Sequence, residues 1–476
     1  MKPTFPASTY LARRQRISQL MGGGLLLFLG NGIASYNYPD NNYLFRQDST
    51  FLYLFGLDYE GLAAVIDIDN DRAIIFGDEL TIDDIIWTGV QPTLAEKAAA
   101  VGVSDTRPMA QLATYLADAM QRKQPIHFVP PYRGHTILWM QELLGVKLNN
   151  EPADAFVQGM PVATPSLELC YNLADMRNHK SDEEVEEIRR AINITVDMHE
   201  TAIRMVRPGM SEKEVAAAIC EVAQREGYYL SFPTIATNHG ETLHNHGYIH
   251  TLQEGDMLLL DAGAETEMHY AGDCTTTMPV GRDLTDRQKA VHSILIDTYQ
   301  KAAAIIRPGI TYRECHVAAW ANIAEGLKGL GLMKGDAMEA AEAGAVAMFM
   351  PHGLGHMMGM DVHDMENYGE VHVGYPRGAQ KDPRFGFRSL RLGRTLEPGF
   401  VFTVEPGIYF VPDLIDQWQA QGKFADFINY EELQHWKTFG GIRNEEDYLI
   451  TPDGATLIGR HKPGSIEELQ ACRNGK

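Results

Sequence analysis

The residues of this chain best suited to chemistry are acids and histidines in its C-terminal half. They stand in short motifs and are Asp261 and Asp273 in DAGAETEMHYAGD, His352 and His356 in HGLGH, His363 in DVHD, Glu405 in TVEPG and Glu445 in GIRNEED. Four carboxylates and one imidazole at one site need cations, because two carboxylates about 4 Å apart repel by roughly 4 kcal/mol at an effective dielectric near 20. Two divalent metals would cancel that charge, activate water and polarise a carbonyl or phosphoryl oxygen. The pattern therefore predicts a metal-dependent hydrolase.

The aspartate pair lies in GDMLLLDAGAETEMHYAGDCTTTMPV, which is typical of two strands joined by a turn. A turn at the midpoint, Glu267, would set Asp261 opposite Asp273, and their even spacing would point both to one face. Aspartate is uncommon in strands, so two of them between apolar runs favour a site. The alternative is a pair of solvated aspartates beside a turn. Cys274 follows directly and is expected in the core.

The two glutamates stand in strand-like segments with apolar neighbours, FVFTVEPGIYF for Glu405 and GGIRNEEDYLI for Glu445. A buried acid in such a segment must be paired or bound to metal. Arg443 shares a strand face with Glu445, and is either a structural ion-pair partner or a clamp on a metal ligand. Glu446 and Asp447 are expected at the periphery of the site.

Histidines cluster in two segments. A lone histidine is more often structural than functional, but three in the glycine-rich HGLGHMMGMDVHD favour a site, because glycine lets backbone approach a ligand closely. The second cluster, NHGETLHNHGYIH, contains His239, His244, His246 and His250. One of these four is expected to be functional and the others to lie on the surface. Motifs of serine hydrolases, HExxH zinc peptidases and P-loop proteins are missing.

Composition excludes several classes of function. A length of 476 residues favours two domains, and a formal net charge of -22 argues against nucleic acid and anionic membranes as partners. Five cysteines without a CxxC pair fit a reducing, cytoplasmic compartment. The apolar run Leu25–Leu29 follows three arginines, as in a signal peptide, but it is short and better explained as a buried strand. No stretch reaches the ~20 apolar residues of a membrane-spanning helix.

The first part of the chain alternates strand-like and helical segments, which predicts a compact α/β domain ending near residue 165. The expected strands are LLLFLG, FLYLFGL (residues 51–57), AAVIDID, RAIIFG and IHFVP, and the expected helices lie near Thr93–Ala100 and Met109–Arg122. The polar run Asn172–Ser181 is expected to be a linker. Ser181 and the glutamate three residues later form a capping box, which predicts an amphipathic helix through about Met205.

A repeat with an offset of one hundred residues follows, RPGMSEKEV from Arg207 and RPGITYREC from Arg307. In each copy Pro-Gly ends one helix, and Ser211 or Thr311 caps the next with a glutamate three residues later. Amphipathic helices are expected at about 212–226 and 312–330, each leading into acid-bearing strands. The alternative is a common helix-turn-helix phrase that recurs by chance. The duplicated order favours a domain of two pseudo-symmetric halves with metal between them.

With these motifs the chain resembles the M24B peptidases, the aminopeptidase P and prolidase family, over nearly its whole length. The resemblance rests on DAG…D, HGLGH, TVEPG and GIRxE in this order, on NYLFRQDSTFLYLFGL, and on RFGFRSLRLGRTLEPGFVFTVEPGIYF, which is especially similar to prolidases. It implies an α/β N-terminal domain of the creatinase and aminopeptidase P type over residues 1–170. It implies an α+β pita-bread catalytic domain with pseudo-two-fold symmetry over residues 171–476.

The same resemblance implies roles for individual side chains. Two divalent ions would be held by Asp261, Asp273, His356, Glu405 and Glu445. They would be Mn²⁺ by the family's usual assignment, with Co²⁺, Zn²⁺ or Fe²⁺ as alternatives. The implied catalytic residues are His244, His352, His363, Glu405 and Arg443, and the implied substrate-binding residues are His352 and Arg391. Two features depart from the family's pattern. Twelve rather than eleven residues separate the aspartates, and Asn444 stands where an aliphatic residue is usual.

The activity implied is hydrolysis of the bond between an N-terminal residue and proline, on peptides with proline in second position, by a homo-oligomer (dimer or tetramer). Prolidase, which accepts only dipeptides, is the alternative, because Arg391 stands where prolidases of the eukaryotic kind carry an arginine for the free carboxylate. A non-catalytic pita-bread binding module and the metal-free creatinase are remoter alternatives. Both lack the five ligands that are present here.

Overall fold

Helices and strands alternate through the first part of the chain, as the sequence predicts. A computed structural model describes residues 2–281 and 284–475. Its contacts define two units, one made of the chain up to Met176 with Met365–His372, the other of Arg177–Asp364 and the chain from Val373 onward. The elements up to the end of the first segment are α1 (Ala7–Met21), β1 (Leu25–Leu29), β2 (Ser35–Tyr38), β3 (Asn41–Asn42), α2 (Ser49–Phe55), β4 (Ala63–Asp67), β5 (Arg72–Phe76), α3 (Ile82–Thr88), α4 (Leu94–Ala100), β6 (Asp105–Arg107), α5 (Gln111–Gln121), β7 (Ile126–His127), α6 (Gly134–Leu144) and α7 (Leu167–Asn178).

A mixed sheet with the strand order β6-β5-β4-β1-β7 forms the centre of the first unit. β1, β4 and β5 pair antiparallel, whereas β6 and β7 run parallel to their neighbours. Every residue of β1 and β4 is buried, which confirms that Leu25–Leu29 is a buried strand. Helices α5 and α6 cover the sheet and contribute Leu116 and Met140 to its core. The two helices expected near residues 93–100 and 109–122 are confirmed as α4 and α5.

One expected strand of this unit is a helix. The run FLYLFGL lies largely in α2, because Asp48 accepts a hydrogen bond from the N–H of Phe51 (2.8 Å) as an N-cap, and Gly56 ends the helix with φ 62. All seven residues of α2 are buried, so the run shows no polar face. Periodicity cannot separate a short buried helix from a buried strand.

The expected linker at Asn172–Ser181 is also largely helical. Its first seven residues lie in α7, where Leu169 and Leu173, four residues apart, are completely buried. The run is mostly polar, so the sequence did not show that apolar side chains on one face of the helix are buried. The two units divide after Met176, inside α7, and the first unit also contains Met365–His372, which the sequence did not indicate.

The rest of the chain supplies the two halves of the second unit. Its elements are α8 (Asp182–Met205), α9 (Glu212–Glu226), β8 (Tyr229–Leu230), β9 (Ile235–Thr237), β10 (Met257–Ala262), β11 (Ala264–Glu265), β12 (Cys274–Pro279), α10 (Asp286–Ile305), α11 (Tyr312–Gly329), α12 (Ala337–Ala343), α13 (Glu370–Gly374), β13 (Val401–Val404), β14 (Gly407–Tyr409), α14 (Pro412–Ala420), α15 (Tyr430–Leu433), β15 (Gly441–Arg443), β16 (Glu446–Thr451), β17 (Gly454–Leu457) and α16 (Ile466–Arg473). Within the described ranges, no helix combines the length and the apolar composition needed to cross a bilayer.

The repeated segments form the helix pairs that the sequence predicts. α8 and α9 make the first pair, and α10 and α11 the second. Ser211 caps α9 and Thr311 caps α11, each in a complete capping box, and such caps stabilise a helix by about 1 kcal/mol. Each pair is followed by a three-stranded antiparallel sheet, β12-β10-β9 in the first half and β13-β16-β17 in the second. The site lies where these sheets meet.

Candidate metal centre

The two aspartates come from the hairpin of β10 and β12. The register pairs Asp261 with Thr275, so the expected pairing of Asp261 with Asp273 about Glu267 is wrong. The turn spans residues 266–270, where the N–H of Thr266 donates to the carbonyl oxygen of Tyr270 (3.0 Å) and His269 is left-handed (φ 65). Thr275 and Asp273 are two residues apart and therefore share a strand face. As the even spacing predicts, both aspartates still line one cavity.

Both glutamates stand where a strand is interrupted. Glu405 lies between β13 and β14, and its N–H donates to the carbonyl oxygen of Leu354 (2.8 Å). Glu445 lies between β15 and β16, and its N–H donates to the carbonyl oxygen of Thr275 (3.1 Å). The second bond joins β12 of the first half to the second half. Glu445 is therefore fixed at the junction of the two halves, where ligands from both can meet.

The glycines of HGLGH let this segment lie directly on β13. A Cβ at Gly355 would come within 2.0 Å of the carbonyl oxygen of Thr403, so only glycine fits there. The next residue, His356, exchanges hydrogen bonds with Thr403 (3.0 and 3.3 Å). Its Nδ1 lies 3.1 Å from the Met357 carbonyl oxygen, which can only accept, so Nδ1 carries the proton. Nε2 is left as a ligand atom, 3.4 Å from Oδ2 of Asp273.

These segments enclose a cavity of about 310 Å³. All five side chains that the resemblance names as metal ligands line it: Asp261, Asp273, His356, Glu405 and Glu445. One ligand atom from each of Asp273, His356 and Glu445 lies within 4.8 Å of the others. An oxygen-rich set with a single imidazole is the kind of surrounding that a divalent metal ion requires.

Burial and mutual repulsion dominate the electrostatics of this cluster. The pKa values of Asp273 and Glu445 are raised well above their usual range, first by burial and then by neighbouring carboxylates. Burial also raises the pKa of Glu405. Oδ1 of Asp261 and Oδ1 of Asp273 are buried without a hydrogen-bond partner among the described residues. Buried carboxylate oxygens that lack donors fit a bound cation, so the residues present suit a divalent metal.

A hydrogen-bonded chain that passes through Tyr409 joins three residues that line the cavity. Arg443 donates to Asp261 Oδ2 (2.5 Å) and to the hydroxyl of Tyr409 (2.6 Å), which makes the arginine a clamp on an expected ligand. Tyr409 in turn lies 2.9 Å from Nε2 of His352. Nδ1 of His352 donates to the Gly353 carbonyl oxygen (2.7 Å), so Nε2 accepts from the tyrosine. Burial and, to a smaller extent, the positive charge of Arg443 lower the pKa of His352 to about 3, so this imidazole stays neutral.

Tyr409 is a residue that sequence analysis missed. It is completely buried and lies four residues after Glu405 on a strand-like segment, where alternate side chains share a face. That alternation was the available signal. The segment GIYF was interpreted only as the apolar surroundings of the glutamate, although a buried tyrosine hydroxyl needs a partner.

The other histidines and the arginine expected at the site also line the cavity, namely His244, His352, His363 and Arg391. Burial and, to a smaller extent, the positive charge of Arg443 lower the pKa of His244. The second cluster contributes two histidines, because His246 lines the cavity as well. His239 and His250 do not line it, and bond instead to Glu241 (3.0 Å) and Glu212 (3.2 Å).

His363 is followed in the chain by a residue of a buried ion cluster. Its neighbour Asp364 accepts hydrogen bonds from Arg177 (2.6 Å) and Lys180 (3.0 Å), and all three residues are buried. Burial alone would raise the pKa of Asp364, but the two cations hold it below its usual range. The His363 ring meets the His356 ring edge-on at a centroid distance of 4.4 Å. The two imidazoles are therefore in contact, and the residue that follows His363 is held by two buried cations.

Glu446 and Asp447, expected at the periphery, are buried. Asp447 Oδ2 accepts a hydrogen bond from the backbone N–H of Asp273 (3.2 Å), so it holds the backbone of an expected metal ligand. Glu446 accepts from the hydroxyl of Tyr299 and lies 2.9 Å from Nδ1 of His461. Their charge suggested solvent, but these partners come from segments distant in sequence. Cys274 is buried and does not line the cavity, as predicted.

Comparisons with known proteins agree with this architecture. The model of Metallopeptidase family M24 matches residues 186–452, and that of Aminopeptidase P, N-terminal domain, matches residues 10–129. The Xaa-Pro dipeptidase of Homo sapiens is 31% identical over 479 residues, covering 98% of this chain and 92% of that protein. A probable Xaa-Pro aminopeptidase of Metarhizium acridum is 29% identical over 484 residues, covering 95% and 91%.

Solved structures match along the whole chain. Proline aminopeptidase P II from Yersinia pestis has a TM-score of 0.80 at 26% identity and covers 99% of this chain and 100% of that one. Zinc-substituted Escherichia coli aminopeptidase P in complex with product has a TM-score of 0.79 at 25% identity, with 99% of both chains covered.

Fold and site together define a metallopeptidase of the pita-bread type, with a buried cage of acids and one histidine between two halves. The chain belongs to metallopeptidase family M24. The resemblance noted from the motifs is confirmed, as is the architecture of an α/β N-terminal domain followed by an α+β catalytic domain.

Proposed function

We propose that the chain is a dinuclear metal-dependent Xaa-Pro aminopeptidase that removes the first residue from peptides with proline in second position. The observation that carries this proposal is the approach of ligand atoms from Asp273, His356 and Glu445 to within 4.8 Å in a cavity that Asp261 and Glu405 also line. The names of the related proteins, Xaa-Pro aminopeptidase and Xaa-Pro dipeptidase, support the substrate class.

The five side chains would hold two divalent ions. Manganese is the ion proposed, because hard carboxylate oxygens outnumber the single imidazole. When bound, such a pair supplies Lewis acidity and a water of lowered pKa. The buried oxygens of Asp261 and Asp273, which lack hydrogen-bond donors among the described residues, support this assignment.

The remaining chemistry belongs to side chains of the chain itself. The nitrogen of an Xaa-Pro bond carries no hydrogen and must be protonated before it can leave. Glu405 is proposed to carry that proton, since burial raises its pKa above the usual range. His244 and His363 are proposed to stabilise negative charge on the carbonyl oxygen. His352, neutral and fixed by Tyr409, is proposed to contact the substrate on the proline side.

A peptide panel tests the proposal. The protein, stripped of metal and reloaded with Mn²⁺, is incubated with Xaa-Pro-Yaa and with the matched Xaa-Ala-Yaa, and the released first residue is measured. Cleavage of the proline peptide alone, abolished by metal chelation, is the expected result. No cleavage of any tripeptide would end the aminopeptidase proposal.

Arg391 favours a second candidate, an Xaa-Pro dipeptidase. The arginine lines the same cavity as the proposed ligands, where its guanidinium could bind the free carboxylate of a dipeptide. The human dipeptidase also matches nearly the whole chain. An Arg391→Met variant separates the two candidates. A dipeptidase would show a KM for Xaa-Pro raised about tenfold or more, whereas an aminopeptidase would keep its KM for longer peptides.

A homo-oligomer is proposed from the surface of the first unit. Helix α3 has no buried residue, and its apolar side chains are open to solvent: Ile82, Ile86 and Trp87, with Val90 just beyond its end. The Trp87 residue is 86% exposed. Such a cluster is typical of an interface. A second copy of the chain is the proposed occupant.

A cytoplasmic location is proposed from the cysteines. All five lie within the described residues and are free thiols, four of them buried. Unpaired buried thiols persist in a reducing compartment.

A further inference from the structure

A lysine is completely buried behind the segment that carries Glu445. Lys462 is 0% exposed, and its Nζ donates to Oδ1 of Asn444 at 3.0 Å. Its backbone N–H donates to Oε1 of Glu446 at 2.9 Å. Asn444 and Glu446 are themselves buried and stand immediately before and after Glu445. One residue therefore contacts both chain neighbours of a side chain that lines the metal cavity.

The contacts come from the side of the segment opposite to the cavity. Glu445 lines the cavity, whereas Asn444 and Glu446 do not, as the alternation of side chains requires. The N–H of Asn444 donates to the carbonyl oxygen of Pro406 (3.2 Å), next to the interruption after β13. Lys462 thus contacts the segment between β15 and β16 from the side that faces away from the cavity.

The asparagine and the lysine form a matched pair. An aliphatic side chain at position 444 would offer the lysine no acceptor. A buried ammonium without a hydrogen-bond acceptor is strongly unfavourable. The chain is also shaped to admit the carboxamide, because a Cβ at Gly464 would come within 2.9 Å of Asn444 Oδ1. Three positions therefore fit one another.

We propose that Lys462 is a positioning residue for Glu445. By holding Asn444 on one side and Glu446 on the other, it fixes the direction in which the Glu445 carboxylate enters the cavity, and thereby sets the affinity for metal. This inference rests on the proposed role of Glu445 as a metal ligand. Loss of a group that orients a ligand typically weakens metal binding 10–100-fold.

A double-mutant cycle tests the pair by calorimetric titration of the metal-free protein with Mn²⁺. The variants are Lys462→Met, Asn444→Ile and the two together, at a temperature where circular dichroism shows each to be folded. Each single variant leaves the other member of the Lys462–Asn444 pair buried without its hydrogen-bond partner. We therefore expect the Mn²⁺ Kd to rise by at least about tenfold. The double variant breaks the same Lys462–Asn444 contact as either single variant, so its Kd should rise no further than that of the weaker-binding single variant.

The outcomes separate this inference from the proposed function. Wild-type protein that binds no Mn²⁺ would overturn both. Wild-type protein that binds Mn²⁺, with single variants that bind equally well, would overturn the positioning role alone. A double variant as weak as the product of the singles would overturn the pairing. The matched control is Lys301→Met, a lysine 61% exposed and distant in sequence, which should leave the Kd unchanged.

A further variant covers the case in which Lys462→Met does not fold. Gly464→Ala keeps every charge and pushes only the Asn444 carboxamide, by the 2.9 Å contact. It should also raise the Mn²⁺ Kd, by a few-fold, with little change in far-ultraviolet circular dichroism. A Kd equal to that of wild type would contradict the inference.

Discussion

Removing the metal should make the stability of this protein depend on pH. Ligand atoms of Asp273 and Glu445 lie within 4.8 Å of each other. Two unit charges at that distance repel by about 3.5 kcal/mol at an effective dielectric of 20. An ion at one hundred times its Kd stabilises the folded state by ~2.7 kcal/mol. For the second unit this corresponds to a rise in unfolding temperature of roughly 5 °C.

The direction of the pH dependence follows from the raised pKa values of Asp273 and Glu445, caused first by burial and then by neighbouring carboxylates. Below the unfolded-state pKa, about 4, both carboxyl groups are protonated in the folded and in the unfolded chain, so the pair does not lower the free energy of unfolding. As pH rises toward the folded-state pKa, the unfolded chain ionises freely but the folded chain cannot, so the metal-free protein loses stability. Bound metal favours the ionised carboxylates and removes this loss.

The assay compares unfolding temperatures of chelator-treated and Mn²⁺-loaded protein, by tryptophan fluorescence, from about pH 5 to about pH 8. The difference between the two should widen as pH rises. In an Asp273→Asn variant, which removes one of the two charges, the metal-free protein should lose most of its pH dependence. A difference that stays constant or narrows with rising pH would refute the reasoning, because the carboxylates would then not be the groups that the metal relieves.

Three further changes have defined outcomes. Arg443→Met leaves the carboxylate of Asp261 without its guanidinium and should lower the free energy of unfolding by about 3–5 kcal/mol; an unchanged denaturation midpoint would contradict this. Asp364→Asn removes the charge that faces two buried cations. It should destabilise by about 3 kcal/mol at neutral pH and by less in acid, since the lowered pKa of Asp364 makes its contribution disappear as pH falls, and chemical denaturation at both pH values measures it. Trp87→Glu on the exposed face of α3 should shift sedimentation toward the monomer, and an unchanged mass would exclude this face as the interface.

Local structure was predictable where the signal lies within a few neighbouring residues. Ser181, Ser211 and Thr311 cap their helices in the expected boxes, because the glutamate three residues on is part of the same short signal. The hairpin of the two aspartates was predicted, but its register, which pairs Asp261 with Thr275, was not. Register depends on a turn that many residues can adopt.

Long-range partners limited the prediction of the site. The motifs named side chains that all prove to line one cavity, because acids and histidines among apolar residues are conspicuous. Asp447 and Glu446 carry the same charge as exposed acids, and only their distant donors show that they are buried. Tyr409 was missed for the same reason, because its partners Arg443 and His352 come from other segments.

The hydrogen bond between β12 and Glu445 has a consequence for biosynthesis. Its two residues, Thr275 and Glu445, are 170 positions apart, so a ribosome adding 5–20 residues per second needs roughly ten to thirty seconds to make the second after the first. During that interval the early aspartates have no finished cage around them. The proposed set of ligands is therefore complete only after residue 445 has been added, and a chain terminated before that residue would lack one of them.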